Sequence, residues 1–241
     1  MAHDSDDPRL DEELAHRRRS AGEHRLPPVI AVVVAASSYA LLPSRLLFAP
    51  RLLIPVLEVA LVVTLTATTT RTVTERSRWS RRGTVVLAGV MILTNLVALG
   101  MLVHEVQRPG TSGESLLVGG MQVWLTNVVG FSLLYWELDR GGPVARRELR
   151  RDDLPPADWR FSQDENDDAV SEVSVGSSKS AGWIPHYTDY AYLSLTNSSA
   201  FSPTDTMPLT TRAKALMGTQ ATAALLVSLL VVARAVGSLG S

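Results

Sequence analysis

"YLSLTNSSAFSPTDTMPLTTRAK", residues 192–214, sets hydroxyls, an amide and a carboxylate directly before the last long apolar run of the chain. Whether this stretch lies on a membrane surface or dips into the bilayer decides the architecture. From position 188 to 201 the sequence supports a helix of about 14 residues, roughly 21 Å at the α-helical rise. That is short of the ~20 residues a helical span needs. Asp189, Ser194, Thr196, Asn197, Ser198 and Ser199 also make it too polar to cross a bilayer by itself. Pro203 interrupts the helix, and Asp205 or Thr206, followed by Pro208, suits the start of a final helix. A short helix, a break and a full span together predict a re-entrant element. Irregular backbone at membrane depth is tolerated where protein or a water-filled cavity surrounds it.

Outward from this stretch, the chain of 241 residues is 46% hydrophobic, and a mean hydropathy of +0.12 hides a sharp division between polar segments and long apolar runs. Runs 52–70, 84–103, 115–138 and 213–236 reach spanning length, and run 26–42 sits at the short limit. The expected fold is an all-α membrane protein with five transmembrane helices and a short re-entrant, pore-helix-like segment before the last span. Residues 1–25 are expected to be a disordered cytoplasmic tail and 26–138 a four-helix transmembrane region. A flexible charged linker would follow over 139–185, and 186–241 would hold the re-entrant half-helix and the final transmembrane helix. The 25 residues before the first run mix seven acids with five arginines. A signal peptide begins with a short basic segment, so an uncleaved first span is expected.

Arginine counts orient the spans. The N-terminal tail holds five, the connection 43–51 two, the connection 71–83 five and the connection 104–114 one. Five more, Arg140, Arg146, Arg147, Arg150 and Arg151, open the linker. The alternation places the N-terminus, the second connection and the linker in the cytoplasm of a cell-membrane protein. Such juxtamembrane clusters also attract anionic lipid head groups, here through Arg146, Arg147, Arg150 and Arg151. Lysine is limited to Lys179 and Lys214 while Ala and Val abound, the composition of a GC-rich bacterial source. Cysteine is absent, which excludes disulfides, thiolate metal sites and Cys nucleophiles. A net charge of −1 gives no argument for a nucleic-acid partner. No nucleophile–base pair or three-ligand metal spacing stands out, so neither an enzyme nor a cofactor is expected.

Polar residues inside apolar runs are the remaining signal. Glu58, in "LLIPVLEVALVV", is an acid well inside one, which marks a functional site or a hydrogen bond holding the bundle together. Asn95, Gln122, Asn127 and Gln220 suit helix–helix hydrogen bonds, and Gln122, Thr126 and Asn127 share one helix face. "LLYWELDRGGP" (133–143) closes the fourth run. Tyr135 and Trp136 there fit an interfacial aromatic belt, and the Gly-Gly-Pro ends the helix.

The order of an aromatic-rich entry, "YLSLTN", a polar break, Asp, Pro, "LTTRAKAL" and a long apolar helix resembles the pore module of two-helix potassium channels. Laid on that pattern, the filter positions fall on Ala200, Phe201, Ser202, Pro203 and Thr204, with Asp205 on the filter acid. The chain departs from the family in having no glycine from Thr188 to Arg212, and filter glycines are what turn successive carbonyls toward the ion. The channel loop also enters from outside, whereas arginine counting puts the linker before this element inside. The whole chain resembles bacterial multi-pass proteins that carry the strings "WELDRGGP" and "AFSPTDTMPL", and that resemblance implies no activity.

Two functions follow as expectations. One is a degenerate channel-like module that passes or binds a small ion or polar solute, with Thr196, Asn197, Ser199, Thr204, Asp205 and Glu58 lining its polar path. It implies a homo-oligomer in the lipid bilayer, because one five-helix chain cannot surround such a filter. The alternative is a non-conducting membrane scaffold or regulatory subunit, whose polar seam serves assembly.

Overall fold

The computed structural model describes residues 26–40, 60, 75–106, 113–165, 170, 174–178, 182–199 and 205–239. The tail 1–25, Glu58 with nearly all of the run 52–70, and the filter-aligned positions 200–204, Thr204 among them, lie outside the described residues.

The described chain is mostly helical. Helix α1 is Leu26–Ala40, α2 is Glu75–Val106 and α3 is Gly113–Leu138. The short α4 is Pro143–Glu148, α5 is Tyr187–Ser199 and α6 is Thr211–Leu239. Three helices, α2, α3 and α6, are long and apolar enough to cross a membrane. Helix α1, at 15 residues, is only about 22 Å long. The centre of the bundle is α3: 67% of its most apolar window is buried, against 28% for α2 and 22% for α6. On the outer side of α2, Val86, Val90, Leu93, Val97 and Met101 recur at helical spacing and are exposed, as are Leu225, Leu226, Leu229 and Val232 on α6. Stripes of this extent suit hydrocarbon rather than water.

Lipid is as apolar as leucine, so close backbone approach rather than hydrophobicity must hold such helices together. Glycines on α3 allow it on both sides. A Cβ on Gly120 would stand 2.8 Å from Val231 Cγ2 of α6, and one on Gly130 would stand 3.1 Å from Ile92 and Met91 of α2. Around these crossings, Leu99, Val123, Ala223 and Val227 form one apolar cluster. A second, larger cluster centres on Phe131, Tyr135, Trp136, Trp159, Tyr187 and Tyr190.

Helix α5 lies antiparallel along the second half of α3. Its first residue, Tyr187, meets Ser132 at 2.9 Å, Ser194 donates to Val128 O at 2.7 Å, and Trp124 Nε1 donates to Ser198 O at 3.3 Å. After position 204 the chain is again beside the end of α3. There β1, Trp159–Arg160, pairs antiparallel with β2, Met207–Pro208, and Leu209 N donates to Asp158 O at 2.8 Å. Helix α6 then runs back along α3 and α5.

The first half of the stretch expected as a flexible charged linker is built into the fold. Residues 139–165 make a cap across the end of α3, with Asp139, Arg146, Asp158, Trp159 and Phe161 buried. Tyr135 and Trp136, expected at a lipid interface, are enclosed beneath this cap at 0% and 1% exposure. Tyr135 packs on Trp159 at 4.7 Å between ring centroids, and Trp136 meets Tyr187 edge-on.

Candidate functional site

Helix α5 presents Ser194, Asn197 and Ser198 toward α3 and α6, and all of them converge on Gln220. The Gln220 side chain accepts from Tyr135 Oη at 2.6 Å and from Asn197 Nδ2 at 2.8 Å. Its Nε2 donates toward Ser194 O at 3.1 Å, Ser194 Oγ at 2.5 Å and Ser198 Oγ at 2.9 Å. Asn127 Nδ2 donates to the backbone oxygen of Gln220 at 3.3 Å, and Asn197 also reaches Met217 O at 3.0 Å. Gln220 is 0% exposed, so this one amide ties three helices together in a dry interior.

Of the described residues expected to line a path, only Asn197 belongs to this cluster, and Glu58 and Thr204 lie outside the described residues. Thr196 turns its hydroxyl onto its own helix, donating to Tyr192 O and Leu193 O. Ser199 and Asp205 are exposed. Gln122 and Thr126, expected on one face, do pair, at 3.2 Å. Sequence reasoning named Asn127 and Gln220 as part of a seam but missed Ser194, Ser198 and Tyr135. The signal for the serines is the spacing 194, 197, 198 on one face of α5, the same argument that grouped Gln122 with Thr126. Tyr135 carries no such mark, because a helix-end tyrosine looks the same whether lipid or protein covers it.

The end of α3 forms a second polar layer. A helix leaves its last carbonyls unpaired, and here guanidinium groups take them up. Arg81 Nε donates to Glu137 O at 2.9 Å, and Arg146 Nη1 donates to Trp136 O and Asp139 O, each at 2.8 Å. Cations at this end also oppose the negative pole of the helix dipole. Arg146 is 0% exposed, and its guanidinium faces the Tyr190 ring at 5.0 Å. Of the four arginines expected to meet anionic head groups, Arg146 is thus enclosed by protein. Arg147 pairs with Glu148, and Arg151 donates to Ser178 O at 2.7 Å. The turn after α3 needs a left-handed backbone: Arg140 has φ 48°, Gly141 φ 81° and Gly142 φ 91°. At Gly142 a Cβ would also strike Arg81 Nε at 2.8 Å.

Two buried aspartates fasten the cap. Asp139 accepts from Tyr190 Oη at 2.6 Å and from Asp158 N at 2.7 Å. Asp158 holds the start of α6, accepting from Thr210 Oγ1 at 2.5 Å and pairing with Arg212. Thr210 in turn caps α6 by accepting from Ala213 N at 3.1 Å. Farther out, Asp164 accepts from Arg140 at 2.6 Å and from Ser178 Oγ at 2.7 Å. Burial works against the Asp164 carboxylate, but Arg140 and these hydrogen bonds outweigh it and hold its pKa below the ordinary aspartate value of 3.8.

Among the described residues no cluster of three or more His, Asp or Glu could hold a metal ion. The polar groups around Gln220 and at the end of α3 make hydrogen bonds between helices and to helix carbonyls. No family model, curated protein or solved structure matches the chain.

Proposed function

We propose that this chain is a five-span cell-membrane protein whose N-terminus lies in the cytoplasm, and that it acts as a non-conducting scaffold or regulatory subunit. In this reading α5 is a re-entrant half-helix entering from the cytoplasmic side, and α1 and the run 52–70 supply the first two spans. The reading rests on one observation above all. The amide and hydroxyls of α5 that face α3 and α6 are bonded to Gln220 and to backbone carbonyls. An ion path needs such groups turned toward the ion. The re-entrant course is supported by two contacts at one end of α3: Tyr187 begins α5 beside Ser132, and β2 returns to the cap at Trp159.

A second reading keeps a degenerate channel-like module that passes or binds a small ion or polar solute as a homo-oligomer. It draws on Thr188, Tyr192, Leu195 and Ser199, which form one exposed face of α5.

Both readings meet in one experiment. The purified chain in liposomes should give no potassium or sodium flux above protein-free vesicles, and protein-dependent flux would replace the scaffold with the pore. The absence of native cysteine makes the topology test clean. An impermeant maleimide should label Ser162→Cys and Asp205→Cys from the cytoplasmic side and Glu114→Cys from the opposite side. Labelling of positions 162 and 205 from opposite sides would refute the re-entrant half-helix.

A further inference from the structure

Beside the end of α3, a cavity of ≈ 150 Å³ opens between the cap and the lead-in to α5. We propose that it is a binding site for a phosphate-bearing head group, supplied by an anionic phospholipid of the adjoining membrane surface. The lipid source rests on the membrane-spanning reading above; the phosphate chemistry does not.

The walls divide by character. Leu154, Pro155, Trp183 and Ile184 give an apolar side, and Arg140 and Arg151 complete the lining, their guanidinium groups both reaching Asp164. A planar guanidinium matches two phosphate oxygens at once, and two of them on one anion give the charge-assisted, bidentate recognition that phosphate favours. The indole and the proline rings suit the glycerol and first methylenes of a lipid.

The two cations share one nearby carboxylate unequally. Asp164 holds Arg140 at 2.6 Å but Arg151 only at 3.4 Å, and Arg151 is 42% exposed. Behind Arg140, Asp139 lies 3.6 Å away but already accepts from Tyr190 and Asp158 N. A phosphate entering the cavity meets the exposed part of Arg151 and competes for it with Asp164 and Ser178 O. Arg140 is held there at a backbone cost, since it is the one non-glycine residue with positive φ among those described. Such strain persists where the surroundings over-determine it. On the membrane-spanning reading, Arg140, two residues beyond the last residue of α3, stands near the membrane surface, which favours a lipid as the source.

Native mass spectrometry of the delipidated full chain tests this with three probes: dioctanoyl phosphatidylglycerol, dioctanoyl phosphatidylcholine and glycerol 1-phosphate. The expected result is a saturating phosphatidylglycerol adduct, weakened about tenfold by Arg151→Gln through the loss of a charge-assisted contact. Arg151→Lys, which keeps the charge but loses the planar fork, should recover part of the binding, a response that structural damage would not give. Glycerol 1-phosphate binding as tightly, with the same response to both variants, keeps the phosphate site and moves its source to solution. Absence of a saturable adduct with either phosphate probe, or adducts indifferent to both substitutions, overturns the proposal. So does phosphatidylcholine binding as tightly with the same indifference. Failure here leaves the labelling pattern of positions 114, 162 and 205 untouched, so the two readings fall separately.

Discussion

At Gln220 a single amide accepts from two side chains and donates toward a backbone oxygen and two serine hydroxyls. Its geometry is over-determined, because moving any one of the three helices breaks bonds to the other two. Gln220→Leu keeps roughly the volume and takes a buried partner from Tyr135 and Ser198, while Asn197 keeps Met217 O. Leaving buried polar groups unpaired costs about 1–3 kcal/mol, so the apparent unfolding midpoint in detergent should fall by roughly 5 °C. Differential scanning fluorimetry checks this, and an unchanged midpoint would show that those partners find other acceptors. Asn197→Ala in the same background should then cost little more than Gln220→Leu alone, because the two side chains act as one unit.

Helices meet through a few positions, and Gly120 is one at which α3 and α6 approach closely. A Cβ there would lie 2.8 Å from Val231 Cγ2, while one on Gly218 meets nothing within 4 Å. Gly120→Leu should therefore destabilise by about 1–3 kcal/mol through overpacking. Gly218→Ala should be neutral or stabilise by about 0.5–1 kcal/mol through helix propensity. Opposite shifts in thermal midpoint are the expected outcome, and equal shifts would remove the crossing from the account. The long elements were legible because each is an apolar run with an evident start or stop: run 84–103 lies in α2, run 115–138 in α3, and run 213–236 in α6. Helix α5 was legible too, placed by its polarity and length; it is described over Tyr187–Ser199, and the expected end at 201 lies outside the described residues. The cap was not. Its fastenings join Asp139 to Asp158 and Tyr190, and Asp158 to Arg212, across 19 to 54 residues of chain with no period to reveal them. "WELDRGGP" displayed its aspartate, but a helix exit exposed to water would show the same letters.

The described residues form a helical bundle with a cap across the end of α3, and the cap is ionic at its rim. Asp164 has a depressed pKa, so its contribution is complete above the ordinary value of 3.8 and disappears as pH falls through the lowered one. Near-UV circular dichroism from the packed Trp159, Tyr190, Phe161 and Trp183 should show no change from this group between pH 7 and about 4 and weaken in stronger acid. Loss of signal near pH 6 would place the controlling group elsewhere. The guanidinium groups that close α3 have a further consequence. Arg81 precedes its carbonyl partner by 56 residues and Arg146 follows its own by 7 and 10. On the membrane-spanning reading proposed above, both also belong to the clusters whose charge would orient the chain during insertion. The same two side chains would then serve twice in the life of the protein, first as countable charges read while it is being threaded, later as shaped forks withdrawn from water. Lysine can replace the first service but not the second. A lineage that drifted from arginine to lysine at these positions would keep its topology and lose its closure, so biogenesis and endurance impose separate demands on one codon.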